Sequence, residues 1–220
     1  MNLKFYLFGD SICCGQLVSH HLTWISSLSE SLNNLSKHSS VLIQNASVNG
    51  NTTRLALERM SYDVTSHSPD FLLVQFGMND CNYWQSDFTV PRVSERAFEA
   101  NLVEIVERAF LCGISQIFLC TNHPSLKGEF SHFPTKSHSE NNKRYNDIIR
   151  RTAALLQQEN ESVIFLDNES YWYEIMESNP QIRLEKLLLP DGIHLSETGH
   201  RIYSEYSEVI ISDAVKKLLL

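Results

Sequence analysis

No apolar run in this 220-residue sequence comes near the roughly 20 residues that a helix needs to cross a bilayer, so stable membrane insertion is not expected. Basic residues are scarce: 18 Lys and Arg stand against 26 Asp and Glu, for a formal net charge of -8, and they are scattered. A phosphate-backbone partner has no footprint in such a chain, and nucleic-acid binding is not expected. The five cysteines (Cys13, Cys14, Cys81, Cys112, Cys120) are odd in number and contain no C-x-x-C pair. That argues against a disulfide framework and against a structural zinc site, and suits a reducing cytoplasm. The N-terminus lacks a basic segment, a long apolar region and a small-residue cleavage site, and LKFYLF reads as a first strand rather than a signal peptide. Internal repeats, low-complexity stretches, a Walker pattern and a Gly-x-Gly-x-x-Gly run are also missing.

What remains is the composition of an ordinary globular protein, 42% hydrophobic and 20% charged, of a length that suits one domain over residues 1–220. Five short, nearly continuous apolar runs at 3–8, 41–44, 71–76, 116–120 and 162–166 read as strands buried on both faces of a parallel sheet. Between them, helical spacing runs over 22–35, 53–63, 94–111, 139–158 and 196–218. In the third of these, Ala97, Phe98, Leu102, Ile105, Val106 and Ala109 form a single apolar stripe. Strand followed by helix, repeated with right-handed crossovers, predicts an open α/β sheet with helices on both sides. Two stretches break the alternation, 122–137 and 168–190. Both follow strand C-terminal ends, where open α/β sheets bind ligands, and both are read as walls of a site.

The chemistry-bearing residues gather at those same ends. Gly9-Asp10-Ser11 follows the first strand, Asn45 to Gly50 the second and Gly77-Met78-Asn79-Asp80 the third, while Asp191-Gly192-Ile193-His194 precedes the last helix. An acyl-transfer site needs a nucleophile, a base, a group to orient the base, and donors aimed at the developing oxyanion. Ser11 on a Gly-flanked turn, His194, Asp191 three residues before it, the Gly50 N–H and the Asn79 amide are candidates for those parts. Each has a structural reading too: turn punctuation for Gly-Asp-Ser, a positive φ at Gly50, capping by Asn79 or Asp80. The functional reading rests on all of them occurring together, in order, at strand ends.

Taken as blocks, GDSICCG (9–15), Gly50 in NASVNGNTT, GMND (77–80) and DGIHLSETGH (191–200) resemble those of the SGNH hydrolases, the GDSL-type esterase and lipase family, with Ile12 in place of the usual Leu. The resemblance spans nearly the whole chain. It implies Ser11 as nucleophile, His194 as general base and Asp191 as its orienter, with an oxyanion hole formed by the backbone N–H of Ser11 and of Gly50 and by the Asn79 side chain. It implies a flavodoxin-like three-layer α/β/α sandwich whose five parallel strands run in the order 2-1-3-4-5, with Ser11 and Asn79 across one crevice. It implies no metal or other cofactor, and a bracing role for Asp10.

Other residues compete for attention. Cys13 and Cys14 lack a flanking Lys or Arg to depress their pKa, and are expected to pack beneath the turn. His123, His132 and His138 are too widely spaced for a metal signature, and His123 is expected to line the site. Asn82, Tyr83 and Trp84 are candidate walls that would stack on and hydrogen-bond a sugar. The expected function is therefore a cytoplasmic serine esterase acting on a small-molecule polar ester, an O-acetylated carbohydrate above others. An O-acyltransferase using the same site, a lysophospholipase or thioesterase, and a non-catalytic flavodoxin-like binding module are the alternatives. The sequence leaves the oligomeric state open.

Overall fold

The computed structural model describes residues 2–35, 40–84, 90–128 and 137–219. Five strands, β1 (Asn2–Gly9), β2 (Ser40–Asn45), β3 (Phe71–Gln75), β4 (Gln116–Cys120) and β5 (Val163–Leu166), pair in parallel in the order 2-1-3-4-5. Order and orientation agree with the sequence expectation. β3 is buried at every residue, as a central parallel strand should be, whereas the edge strand β2 alternates and leaves Leu42 exposed.

The two faces of the sheet build two cores. On one, Leu3, Phe5 and Leu7 of β1 pack with Trp24, Ile25, Leu28 and Leu32 of α2 (Trp24–Asn33). Trp172 of α6 (Asn168–Ser178) and Tyr203, Ile211 and Val215 of α8 (Glu197–Leu219) complete that core. On the other, Tyr6 and Phe8 of β1 pack with Ala56 and Met60 of α3 (Thr53–Asp63), and with Phe98, Leu102 and Ile105 of α4 (Glu95–Leu111). Tyr145, Ile149 and Ala153 of α5 (His138–Glu159) close that side. The period-2 alternation of β1 thus divides its side chains between the two helical layers. Ala97, expected in the α4 stripe, is only partly buried at its margin.

Two short helices were not expected: α1 (Ser11–Cys14) and α7 (Leu184–Leu187). The stretch 168–190 also departs from its reading as a wandering site wall. Its first half is α6, started by the Asp167 carboxylate accepting the Ser170 N–H and anchored in the core by Trp172. Arg150 reaches from α5 to the same helix start, meeting both Asp167 and Glu169 at 2.8 Å. Of the stretch 122–137, residues 129–136, including His132, lie outside the described residues.

Where β1 and β3 lie side by side the chain order reverses direction across the sheet, which is the topological switch point of this strand order. Gly9 pairs in register with Gln75 there, so the segments leaving the two strands start level with each other. A Cβ on Gly9 would lie 2.8 Å from Gln75 O and from Cys13 Sγ. The close approach of strand and turn therefore depends on that glycine.

Candidate active site

Ser11 opens α1, which the chain enters almost directly from β1. Asp10 caps this single turn, its Oδ1 accepting the Ile12 N–H at 3.0 Å. Gly15 closes it at φ 68°, a left-handed conformation in which a Cβ would also come within 2.3 Å of Thr23 Cγ2. The turn is packed from beneath: Ile12 and Cys13 are buried, and Trp24 Nε1 donates to Ile12 O at 3.2 Å. Burial pushes the Cys13 thiol well above its ordinary value, and the Cys14 thiol is raised for the same reason. Neither is a ready thiolate.

Asp191 and His194 sit on a loop pinched at its base. Leu188 and Leu195, both buried, bridge across it; Leu189 N–H donates to His194 O at 2.7 Å, and Gly192 N–H to Leu189 O at 2.9 Å. At the far side, the Leu126 N–H donates to Gly192 O at 2.8 Å, laying the segment after β4 against this loop. The carboxylate of Asp191 accepts three hydrogen bonds. Oδ1 takes the N–H groups of Ile193 (2.9 Å) and His194 (3.0 Å), and Oδ2 lies 2.6 Å from His194 Nδ1. Burial pushes this carboxyl up, yet the bonds from His194 and from the two backbone donors outweigh it and hold Asp191 below the usual carboxylate range. An ionised carboxylate at that distance fixes the proton of the imidazole on Nδ1, and the free lone pair on Nε2. Nε2 lies 2.9 Å from Ser11 Oγ, across 183 residues of sequence.

Asn79 stands beside this chain at the end of the β3 segment. Its Nδ2 donates to Asp10 Oδ2 at 3.3 Å, and its Oδ1 accepts from Arg92 Nη1 at 3.3 Å. Gly50 adopts φ 75°, with open space where a Cβ would stand, so its positive φ and not crowding is what calls for glycine. The loop carrying Gly50 is tied to the end of β1 by the Val48 N–H donating to Gly9 O at 3.1 Å, and by Arg59. That guanidinium donates to Ala46 O (2.5 Å), Asn51 Oδ1 (2.7 Å) and Gly9 O (3.4 Å). Asp80 is fully buried and joins the loop after β3 to α3, its Oδ1 accepting from Thr53 N–H (2.9 Å) and Thr53 Oγ1 (2.5 Å). Burial raises the carboxyls of Asp10 and Asp80, to about 7 and about 6, against the donors that each has found.

The expected wall residues divide. Trp84 is 55% exposed, with the Arg92 guanidinium 4.4 Å from its ring centroid, and Asn82 and Tyr83 are half-buried beside it. His123, in contrast, is a correction. It has no exposed surface, stacks on Trp172 with ring centroids 4.9 Å apart, and places Nδ1 2.8 Å from Pro124 O. It packs under the site rather than lining it. His138 is equally buried, its ring nitrogens each 3.1 Å from Ser125 Oγ and Met78 O. Arg92 was not anticipated, because it lies between Pro91 and Val93 in a connection with no strand or helix periodicity; only its position shortly after the GMND block hints at a place near the site.

Comparison with known proteins adds to this geometry. Residues 7–202 match the model of the GDSL-like Lipase/Acylhydrolase family. The chain is 30% identical over 182 residues to an uncharacterized lipoprotein of Bacillus subtilis, covering 74% of this chain and 70% of that one. Among solved structures, a lipase/acylhydrolase from Enterococcus faecalis superposes with a TM-score of 0.73 at 22% identity, over 96% of each chain. An acetylxylan esterase from Geobacillus stearothermophilus does so with a TM-score of 0.70 at 19% identity, over 93% of this chain and 92% of that one. At these identities the solved structures speak for the fold.

Proposed function

We propose that this chain, which belongs to the GDSL-like lipase/acylhydrolase family and is an ester-bond hydrolase, uses Ser11, His194 and Asp191 to cleave a small polar acyl ester. The observation that carries this reading is the unbroken run from Asp191 Oδ2 through the imidazole to Ser11 Oγ, at 2.6 and 2.9 Å. In the first step Ser11 Oγ attacks the acyl carbon while its proton passes to Nε2, and the imidazolium so formed is stabilised by the ionised Asp191. Collapse of the tetrahedral intermediate expels the alcohol, which takes the proton from Nε2 and leaves an acyl group on Ser11. Water then repeats both proton transfers and releases the acid.

The oxyanion would form against the Ser11 N–H, the Gly50 N–H and the Asn79 amide. The first helical N–H of α1 has no acceptor within its own helix, which suits that task. One Nδ2 proton of Asn79 is committed to Asp10, leaving the second to point elsewhere.

An acetyl group on a carbohydrate is the substrate class we favour. The exposed Trp84 with Asn82 and Tyr83 beside it suits sugar stacking and hydroxyl recognition, and a structural neighbour is an acetylxylan esterase. Among the described residues no helix is long and apolar enough to cross a membrane. A cytoplasmic setting belongs to the same proposal, supported by five cysteines that are all unpaired. Turnover of p-nitrophenyl acetate, butyrate and octanoate by the wild type and Ser11→Ala tests the reading. Rates should fall with chain length, and Ser11→Ala should lose about 10³-fold or more. Equal rates for the two proteins would refute the nucleophile. Acetate released from an acetylated oligosaccharide distinguishes a hydrolase from a transferase, which would return little free acid when a sugar acceptor is supplied.

A further inference from the structure

We infer that Arg92 is a positioning residue for the oxyanion donors, holding Asn79 and Gly50 in one arrangement without itself touching the substrate. The inference rests on the proposed role of those two residues. Its basis is a single guanidinium shared between them: Nη1 donates to Asn79 Oδ1 at 3.3 Å, and Nη2 to Gly50 O at 3.0 Å. Asn79 comes from the β3 segment and Gly50 from the segment after β2, so nothing in local sequence keeps them in register. Arg92 spans that gap.

The consequence for Asn79 follows from the planarity of a carboxamide. Its oxygen is pinned by Arg92 and one amide proton by Asp10 Oδ2 at 3.3 Å, so the amide cannot flip and its remaining N–H has one direction. A cation on the oxygen also polarises the amide and strengthens its N–H as a donor. At Gly50 the open surroundings leave a backbone at φ 75° with no side chain of its own to restrain it, and the bond from Arg92 to its carbonyl supplies a restraint. The guanidinium is itself held in place. Its face lies over the Trp84 ring at 4.4 Å, the Arg92 N–H donates to Asn82 O at 2.8 Å, and the next N–H, of Val93, donates to Asp80 O at 3.2 Å. Lysine can replace only part of this: a point charge reaches one carbonyl, whereas the planar fork reaches two.

The test is a double-mutant cycle on p-nitrophenyl acetate with wild type, Arg92→Met, Asn79→Ala and the double variant, together with Arg92→Lys and inhibition by phenylboronic acid, which forms a tetrahedral adduct on a serine nucleophile. Arg92→Met should lower kcat by about 10- to 100-fold with KM little changed, and weaken phenylboronic acid by a similar factor. In the Asn79→Ala background the same change should cost several-fold less, and Arg92→Lys should recover part of the loss. A raised KM at unchanged kcat, or the same fold-loss in both backgrounds, would overturn the inference and make Arg92 an independent substrate contact. Arg92→Met at the wild-type rate would overturn it as well. Ser11→Ala separates this failure from that of the underlying reading. If Ser11→Ala is inactive and Arg92→Met unaffected, only the role of Arg92 falls; if Ser11→Ala is fully active, the site assignment falls and takes Arg92 with it.

Discussion

Asp10 and Asn79, 69 residues apart, meet across the switch point of the sheet, the Asp10 carboxylate accepting from the Asn79 amide at 3.3 Å while capping the turn that carries Ser11. One buried carboxylate therefore couples the orientation of the proposed nucleophile to that of a proposed oxyanion donor. The pairing explains why the residue before the serine is acidic although it does not reach into the site: Asp10 is fully buried.

From that coupling, Asn79→Ala should reduce kcat by about 10²- to 10³-fold, the loss seen when one oxyanion donor is removed. The side chain is half-buried and bonded only through its two amide ends, so the fold should persist and the thermal midpoint should shift little. Steady-state kinetics beside a melting curve would check both. A variant that melts early and loses activity in proportion would assign Asn79 a structural role instead.

Asp191→Asn makes a sharper test, because it preserves shape and changes one proton. The asparagine Oδ1 can still accept from Ile193 and His194 N–H, so the loop should remain folded. Its Nδ2, however, donates to His194 Nδ1 where the carboxylate accepted, and the imidazole must then carry its proton on Nε2. That nitrogen cannot take the Ser11 proton. A fall in kcat on the order of 10⁴-fold is expected, with circular dichroism unchanged. Near-normal turnover would show that Asp191 does not set the tautomer.

The strands and most helices were legible in the sequence because their burial is a local pattern: β3 is apolar at four of its five residues, and α4 repeats its apolar face along 17 residues. The block residues were legible because Ser11, Gly50, Asn79 and His194 each follow a recognisable break. α6 was not, since NESYWYEIMES buries mainly Trp172 and owes its start to the Asp167 cap and to Arg150 from another helix. His123 was misplaced for the same reason: its partner, Trp172, lies 49 residues away, and a histidine in a Pro-containing loop carries no sign of being stacked inside. Arg92 acts through tertiary bonds alone.

The thiols next to Ser11 should be inert. Cys13, Cys81 and Cys120 are fully buried, and burial raises all three thiols, whereas Cys112 is exposed at the C-terminal end of α4, which leads into the start of β4 and so lies at the sheet edge opposite the strand ends that carry Ser11. Maleimide applied to the native protein should modify Cys112 first and leave esterase activity intact, with Cys13, Cys81 and Cys120 reacting only after unfolding. Rapid loss of activity on labelling, mapped to Cys13 or Cys14, would reopen a cysteine nucleophile.

Stability should rise from acid pH to about pH 7 and level off there. His123, His138 and His200 are each pushed down to about 4 by burial, so near pH 5 they are neutral in the folded chain and protonated in the unfolded one. Unfolding there takes up three protons. Asp10 and Asp80, raised to about 7 and about 6 by burial, are protonated in the fold at pH 5 and ionise on unfolding, releasing two. A net uptake of one makes stability fall as the pH drops below 6, by up to about 1.4 kcal/mol per pH unit, with Glu169, also raised by burial, reducing the slope. Between pH 6 and 7 the unfolded histidines, ordinarily near 6.5, give up their protons while Asp10 and Asp80 ionise in the fold, so uptake and release fade together and the pH dependence flattens above about 7. Urea midpoints at pH 4.5, 5.5, 6.5 and 8 should therefore climb up to 6.5 and change little from there to 8. Midpoints that rise steadily from pH 6.5 to 4.5 would mean that the carboxylates outweigh the histidines; His123→Phe, which removes one proton uptake and keeps a ring against Trp172, should flatten the acid limb, and a limb left unchanged would show that His123 takes up no proton on unfolding.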